Sequence, residues 1–399
     1  MTAAAKDIAC DAAGAVLSGR EDGFVLDGPA FGGGCPLVGV EPAAVLEGSW
    51  ERWSDLEDAW DAGRAKAPGD GGLAGWFDYE GNFRFGVFPS WSRGLVRYPD
   101  ADAPPASFRA GLTEDEWVSL VRRAHEYIAA GDIYQVNLTH TLSAGWSGSP
   151  GTFYRRFRGD EIPPCAAFMA LGDTTVLSAS PETFLRIEGR RISTRPIKGT
   201  RPRGADAPSD TAAARELLDS PKERAELIMI TDLLRNDLGQ VCEYGSVHVP
   251  SLCALESFAH VHHLVSTVEG FLRADITPFA AVRACYPGGS ITGAPKKRAR
   301  EVIAELERVP RGIYTGAIGF VDWSGCAVFS IAIRTLVVRE GRATYGVGAG
   351  IVADSDPHRE YAETWQKAAG LLAAFGAKKS GRQDLNLRPP GPKPGALPS

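Results

Sequence analysis

The sequence predicts an α+β protein that combines hairpin-linked strands with separately capped helices. Three observations carry that prediction. Strand-like runs recur in pairs around tight turns, at 72–88, 185–192 and 312–338. Two long helical stripes open with capping signals, at Thr113 and at Ser220. A chain of 399 residues with 44% hydrophobic content can bury a large core, as one big domain or two.

Composition excludes several function classes. A net charge of −6 with 23% charged residues gives no basic footprint for nucleic acid. The longest apolar runs fall short of a membrane span. Residues 1–14, MTAAAKDIACDAAG, lack the charged-then-apolar profile of a signal peptide. Seven cysteines are scattered without a C-x-x-C, which argues against a zinc ribbon or disulfide framework and for a reducing cytoplasm. There is no internal repeat.

The elements follow in order. Trp50 to Asp61 reads as a short surface helix, and Gly72 to Phe88 as two strands turning at Glu80-Gly81-Asn82. Tyr98 to Gly111 is rich in proline and small residues and reads as a linker between a smaller N-terminal portion and the working core. Thr113 and Glu116 form a capping box for a helix buried through Trp117, Leu120, Val121, Ala124 and Ile128. Asp132 to Ser143 reads as a strand with Tyr134, Val136 and Leu138 on one face. Its other face, Gln135, Asn137 and Thr139, suits a polar ligand or simply faces solvent.

Val176 to Ala179 reads as a strand, and Ser180-Pro181-Glu182 ends it in a turn that presents a carboxylate. The stretch 196–204, PIKGTRPRG, reads as a loop fixed by its prolines and glycines around Lys198, Arg201 and Arg203. Partial burial of Lys198 beside Ile197 would make it a nucleophile; a flexible basic surface loop is the alternative. Ser220, Pro221 and Glu223 open a helix that stops at Gly239, with Glu226 at the edge of its apolar stripe. A carboxylate so placed needs a cation or a donor.

His260 and His262 share a strand face, but the acidic residues elsewhere favour oxygen ligation over zinc, and His263 reads as a hydrogen-bonding site residue. PGGSITGAPKK lacks phosphate-loop spacing, although Ser290 and Thr292 before a helix suit a carboxylate. Arg334 within IAIRTLVV calls for an anionic partner. Gly346, Gly348 and Gly350 then bare one face of a strand, so a ligand or another backbone can approach closely. After a break at Asp354 to Pro357, Glu360, Glu363 and Lys367 fall on one helix face. That set suits Mg2+ and an anionic substrate, or forms an ordinary salt-bridged helix face.

Taken in order, SPETF, PIKGTRPRG, KERAELIMITDLLRNDLG, HHLVSTVEG, PGGSITGAPKKRA, YTGAIG, IAIRTLVV and GAGIVADSDPHREYAETWQK closely resemble the chorismate-utilising enzymes. That family comprises the large subunits of anthranilate and aminodeoxychorismate synthases and the isochorismate and salicylate synthases. The resemblance covers about residues 110 to 376. It implies an α/β sandwich of two large, mostly antiparallel sheets covered by helices, with the active site in a cleft between them. Residues 1–105 would be the N-terminal portion of that fold and 377–399 a disordered tail.

The resemblance also implies roles. Glu226, Glu360 and Glu363 would hold Mg2+, which would in turn hold the ring carboxylate of chorismate. Arg334, Tyr314 and Lys367 would meet the enolpyruvyl carboxylate, with the backbone of Gly348 and Gly350 close by. Ser290 and His263 would line the site near the ring, and Glu182 would protonate the departing C4 hydroxyl. Gln135 stands where isochorismate and salicylate synthases carry a lysine base, which disfavours activation of water. Lys198 stands where anthranilate synthases have alanine, and a lysine in PIKGT resembles aminodeoxychorismate synthase component I. The implied reaction is C4 amination through a covalent Lys198 intermediate. No glutaminase module is apparent, so ammonia is expected from a separate glutamine amidotransferase subunit in a heterodimer. The rival expectations are anthranilate synthase component I and a catalytically silent binding subunit of the same fold.

Overall fold

Tight turns pair neighbouring strands, and the pairs merge into two sheets. The computed structural model describes residues 11–66, 69–99, 107–258 and 260–376. Among these residues each sheet has ten strands, paired antiparallel: nine in a row, with Arg109–Ala110 beside Gln135–Gly145 in the first sheet and His248–Ser257 beside Val261–Phe271 in the second lying off that row. The first sheet runs Gly293–Ala294, Gln135–Gly145, Arg342–Ile351, Thr335–Arg339, Thr174–Ser180, Cys165–Leu171, Gly23–Leu26, Leu37–Val40 and Ser92–Arg93. The second runs Ile197–Pro202, Val261–Phe271, Arg191–Arg195, Thr183–Glu188, Ala327–Ile331, Ala317–Asp322, Gly72–Phe77, Phe83–Phe88 and Ala44–Gly48.

Burial arranges these sheets as the inner layers of a sandwich. Phe24, Leu26, Trp76, Phe88, Met169, Val176, Ile318 and Val328 form an apolar cluster drawn from both sheets. A second cluster joins the second sheet to the helices Ser54–Lys66, Pro221–Gly239 and Pro278–Cys285. A third joins the first sheet to Pro150–Arg158 and Ala369–Ala374. The N-terminal third supplies strands to both sheets. No helix among the described residues is long and apolar enough to cross a membrane.

Several local expectations change in the structure. The helix expected on the surface near Trp50 spans Ser54–Lys66 and buries Leu56 and Trp60, while Trp53 just before it stacks on Phe77 at 4.1 Å. Of the expected linker, residues 100–106 lie outside the described residues, and Tyr98 is tied to Asp27 by a 2.7 Å hydrogen bond. Arg109–Ala110 pairs as a strand with Gln135–Gly145. Tyr134 is 70% exposed and precedes that strand, so it does not share the buried face of Val136 and Leu138.

Other corrections concern motifs. The stretch expected as a loop around Lys198 is an edge strand, with a bulge between Lys198 and Thr200 where Gly199 takes φ +67°. Glu223 closes only half of its expected capping box. The Ser220 hydroxyl accepts from the Glu223 amide, while the Glu223 carboxylate faces Arg201 at 3.7 Å. Arg334 lies in a bend with φ +49°, not within a strand. His260 is an exposed residue ahead of the Val261–Phe271 strand. Thr292 donates to the carbonyls of Gly288 and Gly289 and does not cap the following helix. The tail 377–399, expected to be disordered, lies outside the described residues.

Candidate active site

Two neighbouring strands leave one sheet for the other at the same corner. Thr174–Ser180 belongs to the first sheet and Thr183–Glu188 to the second, so Pro181 and Glu182 make the crossing. Ala327–Ile331 returns to Thr335–Arg339 in the opposite direction through Arg334. Backbone hydrogen bonds lock the two crossings together, Ala179 N–H to Arg334 O at 3.0 Å and Ile331 N–H to Glu182 O at 3.0 Å. Topology therefore brings Glu182 and Arg334 onto neighbouring, hydrogen-bonded crossings at the point where both change sheets, although they lie far apart in sequence.

The two side chains differ in what surrounds them. Glu182 is 6% exposed, and burial pushes its carboxyl up to about 7, partly offset by a hydrogen bond with Ser290 and by the charge of Lys198. Arg334 is exposed, and among the described residues its guanidinium makes no hydrogen bond or ion pair. Its charge reaches His263 and Tyr345.

Lys198 approaches from the second sheet and the glycine-rich strand from the first. A Cβ placed on Gly350 would stand 2.6 Å from Gln135 Nε2 and 3.9 Å from Lys198 Nζ. The bare strand face anticipated from the sequence is therefore used: the absent side chain leaves room over Gly350 for the Gln135 amide, with the Lys198 amine near. Gln135 is fully buried, and neither of its amide atoms has a hydrogen-bond partner among the described residues. Such a group costs about 1–3 kcal/mol until something binds it. Gly346 serves differently, since a Cβ there would fall 2.0 Å from the Tyr314 ring. Burial holds the Tyr314 hydroxyl well above its usual value.

His263 sits behind Lys198. Its Nδ1 lies 3.1 Å from the Gly199 carbonyl and 3.0 Å from the Thr200 hydroxyl, and burial lowers its proton affinity. It thereby fixes the bulge from which Lys198 projects.

Two helices supply the carboxylates. Pro221–Gly239 carries Glu226, and Pro357–Lys367, capped by Asp356, carries Glu360 and Glu363. Burial raises the carboxyls of Glu226 and Glu360, the latter despite a 2.8 Å bond from the Ser355 hydroxyl. Burial also acts upward on Glu363, but the charge and hydrogen bond of Lys367 outweigh it, and the net shift is downward. Both Glu226 and Glu360 feel the charge of Glu363, which raises their carboxyls further. The salt-bridged helix face is present as well, because Lys367 Nζ donates to Glu363 at 2.8 Å and to Gly348 O at 2.8 Å. Among the described residues no three ligating side chains already converge on one point. The donor chemistry nevertheless fits a hard dication: oxygen ligands only, two of them destabilised by burial.

The candidate site draws on residues from nine separate stretches. Sequence reasoning missed Lys222, whose charge reaches all three glutamates, and it missed Arg311. A separate hollow of about 700 Å³, lined by Asp61, Arg64, Trp91 and Trp323, contains none of these residues.

Known proteins match this chain in sequence and in fold. A family model described as chorismate binding enzyme matches residues 95–373. Anthranilate synthase component 1 of Thermus thermophilus is 45% identical over 276 residues, 69% of this chain and 60% of that protein. Aminodeoxychorismate synthase of Streptomyces griseus is 46% identical over 280 residues, 69% of this chain and 39% of that protein. The match thus takes in 39% to 60% of the length of these relatives. The solved anthranilate synthase component I of Streptococcus pneumoniae superposes with a TM-score of 0.71 at 28% identity, over 87% of this chain and 89% of that one.

Proposed function

Since the chain belongs to the chorismate-binding enzyme family, we propose that it aminates chorismate at C4 to give 4-amino-4-deoxychorismate. The observation that carries this reading is Lys198, an amine 3.9 Å from where a Cβ on Gly350 would stand and whose charge acts on the buried acid Glu182.

Each residue then has a task. Glu182, with its carboxyl near 7, is protonated in a useful fraction at neutral pH and donates that proton to the departing C4 hydroxyl. The Lys198 amine forms a bond to C2 as the ring double bond shifts and water leaves from C4. Ammonia then bonds to C4, the double bond shifts back, and the C2–nitrogen bond breaks to return the amine after loss of one proton. One awkward displacement becomes two allylic ones. Arg334, with its guanidinium free, and Tyr314 receive the enolpyruvyl carboxylate. Lys367 completes that set once substrate competes for its bond to Gly348. The unpaired amide of Gln135 and the hydroxyl of Ser290 face the ring. Mg2+, held by Glu226, Glu360 and Glu363, supplies charge for the ring carboxylate when bound. Ammonia comes from a separate glutamine amidotransferase subunit, and the product feeds 4-aminobenzoate and folate synthesis.

A second reading, anthranilate formation, is favoured by the equal likeness to anthranilate synthases. Product identification separates the two. Incubation with chorismate, Mg2+ and ammonium salt is expected to give aminodeoxychorismate, converted to 4-aminobenzoate by added lyase. Anthranilate as the main product refutes the role of Lys198. No consumption of chorismate, with a glutaminase partner present, favours a silent binding subunit.

A further inference from the structure

We propose that Arg311 is a positioning residue that sets one wall of the cleft by holding three of its segments at once. The proposal rests on the chorismate reading only where turnover is measured.

Arg311 lies between the helix Lys296–Leu306 and the strand Ala317–Asp322 and is 7% exposed. Its guanidinium has five N–H donors in a fixed fork, and all are used. Nη1 donates to Ile291 O at 2.9 Å and to the Thr315 hydroxyl at 3.3 Å. Nη2 donates to Asn137 O at 2.6 Å and to Glu307 Oε1 at 2.8 Å. Nε donates to Glu307 Oε2 at 2.7 Å. The Tyr79 ring covers the guanidinium at 4.3 Å, and Glu80 accepts the backbone N–H groups of Arg311 and Gly312.

Each segment so gripped carries a side chain of the site. Ile291 follows Ser290, which bonds Glu182. Asn137 lies two residues from Gln135 and pairs with Gly350. Thr315 follows Tyr314, whose ring fills the space above Gly346. Glu307 adds a further tie, because Oε1 also accepts the Thr139 amide at 2.8 Å. The guanidinium stands behind the wall and fixes the mutual spacing of three groups that face the ligand. A simple buried ion pair between Arg311 and Glu307 would need none of the bonds to Ile291, Asn137 and Thr315. A lysine offers its donors from one nitrogen and cannot span those acceptors.

Arg311→Lys keeps the charge beside Glu307 and tests the claim. In that variant kcat is expected to fall about a hundredfold while KM for chorismate rises less than about tenfold, as misplaced reacting groups require. Deuterium exchange of the intact protein is expected to rise at least about tenfold in residues 289–294, 136–140 and 312–316 and to stay unchanged in the strand Gly72–Phe77. Unaltered kcat in a folded variant, or exchange raised uniformly or not at all, overturns the proposal. If Arg311→Lys does not fold, Thr315→Val removes one acceptor and no charge; exchange must then rise in residues 312–316 alone. If the wild-type chain leaves chorismate untouched, the function reading fails while the exchange comparison still decides the role of Arg311.

Discussion

Two buried polar clusters in this protein look alike by composition and differ in what completes them. In the first, the Asp27 carboxylate accepts from the Tyr154 hydroxyl at 2.5 Å and the Tyr98 hydroxyl at 2.7 Å and pairs with Arg158 at 2.8 Å. Arg158 also lies over the Tyr98 ring at 4.5 Å. In the second, buried Gln135 lies by Gly350 with Lys198 near, and Lys198 acts on buried Glu182; among the described residues neither the Gln135 amide nor the exposed guanidinium of Arg334 has a partner. The first satisfies its carboxylate from within the chain, with Arg158 Nε held in an ion pair, and builds structure. The second leaves both atoms of the Gln135 amide without any partner among the described residues, which marks a place where a ligand can bind.

Substitutions in the two clusters should therefore separate turnover from stability. The largest effect is expected for Lys198→Ala, which should reduce aminodeoxychorismate formation about a thousandfold or more in steady-state assays. Its melting temperature should remain close to that of the parent chain. Glu182→Gln should lower kcat by about 10²–10⁴-fold.

The same Glu182 variant tests a pH dependence. The folded carboxyl titrates near 7, above its ordinary 4.5. Between those values the folded state holds a proton that the unfolded state releases, so stability falls as pH rises from about 4.5 to about 7. Glu182→Gln should flatten that part of the curve and leave the variant more stable at pH 8, by up to roughly 3 kcal/mol. Urea titrations across pH measure it.

Asp27→Asn should do the opposite. Breaking the buried pair with Arg158 is expected to cost about 3–5 kcal/mol of stability, with kcat of the folded fraction unchanged. The smallest effect is expected for Gln135→Leu. Removing an unpaired buried amide should stabilise the ligand-free chain by about 1–3 kcal/mol and weaken chorismate binding. Loss of stability in Gln135→Leu would erase the contrast between the clusters.

Much of this was legible in the sequence because local chemistry dictates it. The capping box at Thr113 and the helix opening at Ser220 formed where the residues indicate, as did the hairpin at 72–88, and the hairpin expected at 185–192 extends over 183–195. The glycines of Arg342–Ile351 announced a close approach, and the helix expected after the break at Asp354 to Pro357 formed as Pro357–Lys367. What stayed hidden depends on long-range pairing. Nothing near Arg334 in sequence reveals that its strand changes sheets, so its bend looked like strand interior. PIKGTRPRG looked like a loop because prolines and glycines are read locally, whereas pairing with Val261–Phe271 makes it an edge strand. Arg311 escaped notice since its partners lie 4, 20 and 174 residues away.

The central claim, covalent catalysis by Lys198, is tested most directly by intact-protein mass spectrometry after rapid quenching with chorismate and Mg2+ in the absence of ammonia. The account predicts a gain equal to chorismate less one water, mapped to Lys198 and absent from Lys198→Ala. Chorismate consumed on ammonia addition with no such adduct at any quench time, and with Lys198→Ala as active as its parent, would contradict it.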